Sequence, residues 1–198
     1  MKLVLATQNP KKLKEMNEIL RHLGVEVVSE AELGVRIEVE ETGDTFTDNA
    51  RLKATAVMQA TGLPAVADDS GLCVDALNGG PGVYSARFGG EGLDDKGRYT
   101  LLLERLRGQT DRAAHFHTSI VCAFPNGDEL VCEGECPGTI AFAPMGEGGF
   151  GYDPVFFVPE LRKTFGQLTA EEKASVSHRG KALRAFAAAL DDYLKGNE

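Results

Sequence analysis

Long hydrophobic runs are missing from this chain: no apolar stretch approaches the roughly 18 residues that span a membrane. The opening run Met1-Lys2-Leu3-Val4-Leu5-Ala6-Thr7 is also far too short for the core of a signal peptide, so a cytoplasmic protein without a membrane partner is expected. Cysteine is sparse. Cys73, Cys122, Cys132 and Cys136 form no CxxC pair, which argues against a closed zinc site and reads as reduced, small hydrophobic residues. Positive charge is the scarcer sign. Twenty-one basic residues against thirty acidic ones leave a net charge of −9, the wrong balance for coating a nucleic-acid polymer. One local basic cluster can still bind a polyphosphate inside an acidic protein. Internal repeats, low-complexity tracts and linkers are absent as well, so the 198 residues read as one domain, 1–198, able to bury about 70% of the unfolded chain's surface.

Glycine, in contrast, is abundant: 23 residues, clustered at 79–82, 89–92 and 146–151, where loops turn or approach a ligand closely. Apolar spacing predicts a strand at Leu3–Ala6, then a helix capped by Asn9 with Pro10 first and Gly24 closing it, then a strand at Val25–Val28. A second helix is expected from Thr45 to Gly62, and a short strand at 65–67 running into Asp68-Asp69-Ser70-Gly71. Further on come a helix over 93–106, a hairpin turning at Asn126-Gly127 as a type I′ pair, a strand at 155–158, a capping box at Thr169–Glu172 and a helix over 180–194. Alternating strands and helices followed by an antiparallel hairpin indicate an α/β fold with a mixed sheet.

Five segments carry chemistry. Thr7-Gln8-Asn9-Pro10-Lys11-Lys12 lies between a strand end and a helix start, where backbone N–H groups and the helix dipole favour an anion. Two lysines there oppose the dipole by a few tenths of a kcal/mol, which makes sense if an anion occupies the spot. No GxxxxGK[ST] is present, so it is not a Walker loop. Asp68 and Asp69 end a buried strand and point to opposite faces, so they should do different jobs. Glu38, Glu40 and Glu41 form a second acidic cluster; together with phosphate oxygens and water, a few carboxylates suit Mg²⁺. Gly146-Glu147-Gly148-Gly149-Phe150-Gly151 matches GxGxxG but precedes a strand rather than a helix, so it is no Rossmann site; it suits a flat base or a ribose. Lys173, His178, Arg179 and Lys181 form a local basic patch that could bind phosphate or donate to a base. His115 and His117 share a strand face without a third ligand and read as ordinary sheet residues.

The chain resembles the inosine/xanthosine triphosphate pyrophosphatase family. The likeness is carried by Leu5-Ala6-Thr7-x-Asn9-x-x-Lys12, Glu41-Thr42-Gly43-x-Thr45-Phe46, Ala67-Asp68-Asp69-Ser70-Gly71, Pro81–Arg87, Gly148–Pro154 and Ser177-His178-Arg179, in order from residue 5 to 179. Lys11 and Asp48 are its less usual positions. The resemblance implies an elongated two-lobed fold, a mixed central sheet flanked by helices and an active-site cleft between the lobes. It also implies Mg²⁺-dependent hydrolysis of deaminated purine nucleoside triphosphates to monophosphate and pyrophosphate, by a homodimer. Carried over residue by residue, Thr7, Gln8, Asn9, Pro10, Lys11 and Lys12 hold the triphosphate, Lys12 most directly. Glu41 and Asp69 ligate the metal, with Asp69 as general base. Ser70, Phe150, Gly151, Tyr152, Asp153, Lys173, His178 and Arg179 contact substrate, the last two near the base. Lys53 adds a substrate contact and Asp68 support. Three rivals stand beside this reading: a pyrophosphatase for modified pyrimidine nucleotides, a non-catalytic nucleotide-binding regulator, and an aspartic protease. The protease needs two facing Asp-Ser-Gly loops, and this chain has one.

Overall fold

Leu3, Val4 and Leu5 are all fully buried, as an unbroken apolar run predicts for a strand covered on both faces. They lie in β1 (Lys2–Leu5), which pairs in parallel with β2 (Glu26–Ser29) and β3 (Ala65–Val74). The computed structural model describes residues 1–7, 9–90 and 92–196. Helix α1 (Pro10–Leu20) starts where expected: the Asn9 side chain accepts from the Lys11 N–H, and Pro10 takes the first position. Helix α2 (Phe46–Thr61) is capped by the Thr45 hydroxyl, which accepts from the Asp48 N–H, and it ends at Gly62 with φ +67°.

Strand β3 departs from expectation. It does not stop before the acidic pair but continues through Asp68-Asp69-Ser70-Gly71, because Leu72 and Val74 are fully buried beyond them and hold the extended backbone. After α3 (Asp95–Arg105), capped by Asp94, come β4 (Ala113–Ala123) and β5 (Glu129–Ile140). Their turn is not type I′. The Gly127 N–H bonds to the Phe124 carbonyl, so Pro125 and Asn126 are the central residues, and only Gly127 has positive φ (+93°). Proline's fixed φ favours the first central position of a type I turn, with glycine supplying the following left-handed residue.

Strands β6 (Phe156–Val158) and β7 (Lys163–Thr164) add antiparallel pairs, giving a seven-stranded mixed sheet in the order β2-β1-β3-β4-β5-β6-β7. Helix α4 (Ala170–Val176) opens on the expected capping box, Thr169 with Glu172. Extended Ser177 separates it from α5 (His178–Gly196), which therefore starts two residues before the expected Gly180. No helix among the described residues is long and apolar enough to cross a membrane. All four cysteines are free thiols.

The chain forms two compact units, neither of them one continuous segment. Unit 1 comprises Met1–Asp69, Thr118–Gly134 and the residues from Lys181 on; unit 2 comprises Ser70–His117 and Glu135–Gly180. Within unit 1, alternation along β1 sorts the core. Leu3 and Leu5 join Met16 and Leu20 of α1 with Phe186 and Leu190 of α5, while Val4 joins Val57 of α2. Unit 2 is built on Leu102 and Leu106 of α3 and on aromatic rings, with Phe116 5.6 Å from Phe165 and 4.7 Å from Phe156. Full burial of each such side chain stabilises by about 1.5–3 kcal/mol.

Candidate active site

In unit 1 the ends of β1 and the start of α1 place Thr7, Asn9, Pro10, Lys11 and Lys12 together. The Thr7 hydroxyl accepts from the Asn9 N–H at 3.2 Å, which folds the loop against the helix start. Lys11 is exposed, whereas Lys12 turns inward and its ammonium meets Asp68 at 2.7 Å. Gln8 lies outside the described residues. Asp68 is only 5% exposed, so this carboxylate has left water for a charged partner.

Asp69, the next residue, meets α2 instead. Lys53 bonds Glu41 Oε1 at 2.6 Å and reaches Asp69 Oδ1 at 3.7 Å. One ammonium therefore serves both expected metal ligands. Glu38 and Glu40 are exposed, and only Glu41 of that cluster turns inward. Asn49, one helical turn before Lys53, donates from its amide to Asp69 Oδ2 at 3.3 Å and accepts from the Gly43 N–H at 2.8 Å. The sequence reading did not single out Asn49; its signal is an Asn-x-x-x-Lys spacing, which puts both side chains on one helix face. Ser70 is exposed on β3 and belongs to unit 2.

Unit 2 gathers the remaining expected residues. Phe150 is 76% exposed, an unusual position for a large ring. Its backbone N–H donates to Asp153 Oδ2 at 2.9 Å, and the Lys173 ammonium bonds the same carboxylate oxygen. Lys173 also lies 4.8 Å from the Phe150 ring centre and 5.2 Å from that of Phe165. Burial pushes the Asp153 pKa above its ordinary value, a change that Lys173 only partly offsets. Gly149 is obligatory: a Cβ there would stand 1.9 Å from Asp153 Oδ2. The glycine-rich segment thus serves its own packing first. The Gly151 N–H donates to Asp95 Oδ2 at 2.7 Å, a second partner the sequence reading did not pick out.

Tyr152 points into the core of unit 2. It is buried, donates its hydroxyl to the Ser85 carbonyl at 2.8 Å, and has its phenol pushed up to about 12 by burial. His178 opens α5 with its ring stacked on Phe116, 4.6 Å between centres, and Arg179 follows, half-buried in the same first turn. No group of three or more His, Cys, Asp or Glu side chains that could hold a metal occurs among the described residues. Chemically, unit 1 offers lysines that can neutralise phosphates and carboxylates that can activate water, and unit 2 offers the exposed Phe150 ring with the Lys173 ammonium against it.

Comparison with known proteins identifies the family. Residues 3–189 match the Ham1 family model. The chain is 50% identical over 196 residues to a dITP/XTP pyrophosphatase of Exiguobacterium sp., covering 99% of this chain and 100% of that one. It is 53% identical over 195 residues to its counterpart of the same name in Thermus thermophilus, covering 97% and 93%. A solved HAM1 protein from Coxiella burnetii aligns with a TM-score of 0.93 at 43% identity, over 97% of this chain and 99% of that one.

Proposed function

Because the chain belongs to the Ham1 family, we propose that it hydrolyses deaminated purine nucleoside triphosphates (ITP, dITP and XTP) to the monophosphate and pyrophosphate. The observation that carries this reading is Lys53 linking Glu41 and Asp69 while Lys12 holds the adjacent Asp68. Attack on a phosphorus needs its negative oxygens neutralised and a water aligned and deprotonated. Lys12, on the first turn of α1, keeps its bond to Asp68 and meets the triphosphate with its remaining ammonium donors, with Thr7, Asn9, Pro10 and Lys11 shaping the loop. Asp69 is the general base that takes the proton from water, and Lys53 offsets the charge that its ionised form adds. Glu41 and Asp69 are hard oxygen donors, and a pair of carboxylates completed by substrate phosphates is a set that suits Mg²⁺. When bound, Mg²⁺ supplies further charge neutralisation on the phosphates.

In unit 2, Phe150 offers a face on which a flat base can stack, Lys173 and Asp153 hold that loop, and Ser70, Gly151 and Tyr152 complete the segments around it. His178 and Arg179 are the donors for the purine O6, an acceptor in hypoxanthine and xanthine where adenine has an N6 donor. Guanine shares O6, so its rejection must arise at position 2, where it carries a donor amine. Each buried mismatch costs about 1–3 kcal/mol, enough at the upper end for a selectivity of about 10². The reading includes residues 1–198 acting as a single catalytic domain, since neither unit is continuous in the chain. It also includes a cytoplasmic homodimer.

The test is a panel of ITP, dITP, XTP, GTP and ATP with products identified by phosphorus NMR. IMP and pyrophosphate from ITP, with GTP and ATP at least about 10²-fold slower in kcat/KM, are the expected results. Orthophosphate as primary product would sink the mechanism, and equal rates on ITP and ATP would remove His178 and Arg179 from base reading.

A further inference from the structure

Asn49 is 0% exposed, within α2, and its side-chain amide bonds the Gly43 N–H and the Asp69 carboxylate. A buried amide in a helix interior is an unfavourable choice unless its polar atoms are matched. Here both ends are matched, and the partners decide which end is which. The Gly43 N–H can only donate, so it takes Oδ1 at 2.8 Å; an ionised Asp69 can only accept, so it takes Nδ2 at 3.3 Å. Neither leucine nor aspartate could satisfy both.

A second observation shows how tightly the Glu41–Gly43 loop is seated on α2. A Cβ at Gly43 would stand 2.7 Å from Asp48 Cβ, 2.8 Å from Asn49 Oδ1 and 3.0 Å from the Asn49 backbone nitrogen. The loop that carries Glu41 therefore touches the helix at the very residue that grips Asp69. Lys53, four residues on, holds Asp69 by its other oxygen. The carboxylate is gripped at both oxygens from one helix face.

We propose that Asn49 is a positioning residue: its amide ties Asp69 to the Glu41–Gly43 loop and so sets the spacing and rotation of the two acids. The inference rests on the functional reading above, because that reading gives those two acids their work. Partners that orient metal-binding carboxylates typically matter by about 10- to 100-fold in affinity or activity.

Two variants separate the bonds. Asn49→Asp keeps the acceptor for Gly43 and replaces the donor to Asp69 with a like charge; Asn49→Ala removes both. Each is measured for kcat and KM on ITP, for Mn²⁺ affinity by the loss of the free-ion EPR signal, and for folding by circular dichroism and thermal midpoint. The expected result for both is kcat lowered at least about tenfold, KM within about threefold because the phosphate and base groups are untouched, and Mn²⁺ bound about tenfold more weakly. A folded Asn49→Ala with a lower midpoint but unchanged kcat and Mn²⁺ affinity would make the residue structural only and overturn the proposal. If Asn49→Ala does not fold, Asn49→Asp, nearly the same in shape, decides alone by the same criteria. If wild type releases no pyrophosphate from ITP, the functional reading fails. The EPR titration then still decides for Asn49: Mn²⁺ affinity weakened in the variants supports it, and equal affinity, or no binding by wild type, overturns it.

Discussion

Both units hold a lysine against an aspartate, and the surroundings of the two pairs differ. In unit 1 the Lys53 ammonium is shared between Glu41, whose side chain is 30% exposed, and Asp69, which has an amide donor besides. In unit 2 the Asp153 side chain is 4% exposed, takes the Phe150 N–H as well as Lys173, and has rings on the lysine's other sides. Partly solvated pairs exchange partners readily because water compensates each charge on the way. Enclosed ones do not, since removing one partner strands the other charge in a low dielectric. The first arrangement suits groups that must hand charge to a phosphate and take a proton. The second suits a fixed wall that keeps the Phe150 ring presented.

Asp69→Asn tests the working half most severely. The change preserves shape but removes the base, so kcat on ITP should fall by about 10² or more, with substrate affinity partly retained. Near-wild-type kcat would take Asp69 out of the mechanism and leave unit 1 without a distinctive task. Phe150→Ala tests the wall. Stacking of a base on an aromatic ring is worth about 1–3 kcal/mol, so KM should rise roughly tenfold with kcat little changed. Steady-state kinetics that instead showed a fall in kcat at constant KM would merge the roles of the two units.

The smallest effect concerns pH. Burial, outweighing Lys173, raises the folded-state pKa of Asp153 above its ordinary 3.8. The folded state therefore holds this proton more tightly than the unfolded chain, and stability falls as pH rises from the ordinary value through the raised one. Asp153→Asn lacks that titration. The thermal midpoint of wild type, measured relative to the variant, should decline across that window and level off above it. A difference that grew with pH would mean that Lys173, rather than burial, dominates the site.

Local signals were legible in the chain wherever a side chain acts on its own backbone. Asn9 with Pro10, Thr45 with Gly62, and Thr169 with Glu172 place helix ends to within a residue or two, because caps work over three or four positions. The type I′ expectation failed on an equally local point: Pro125 outranks Asn126-Gly127 in choosing the turn. The run-on of β3 beyond Asp69 escaped because two adjacent acids look like a strand end, and only the burial of Leu72 and Val74 shows otherwise. Of the candidate site, the residue types and their segments could be listed from motifs, but their pairings could not. Lys12 and Asp68 are 56 residues apart, and Asp69 and Asn49 are 20 apart on different elements. Asn49 bonds Asp69, Asp95 bonds the Gly151 N–H and Phe116 stacks on His178, and a single sequence has no mark for such pairings.

The scattered make-up of unit 1 has a consequence for biosynthesis. Its main core sets Leu3, Leu5, Met16 and Leu20 against Ile120 and Cys122 and then against Phe186 and Leu190 of α5. The segments of unit 2 are all made by Gly180, whereas unit 1, although it starts first, needs residues from Lys181 on. Strand β1 and helix α1 are thus made before unit 2 but lack part of their core until after it. Until α5 is made, the apolar side of β1 and α1 waits for it, and exposed surface of that kind is what aggregates or is captured by chaperones. A lesion that slows or shortens α5 would therefore act on the yield of folded protein, through a strand that was made more than 170 residues earlier.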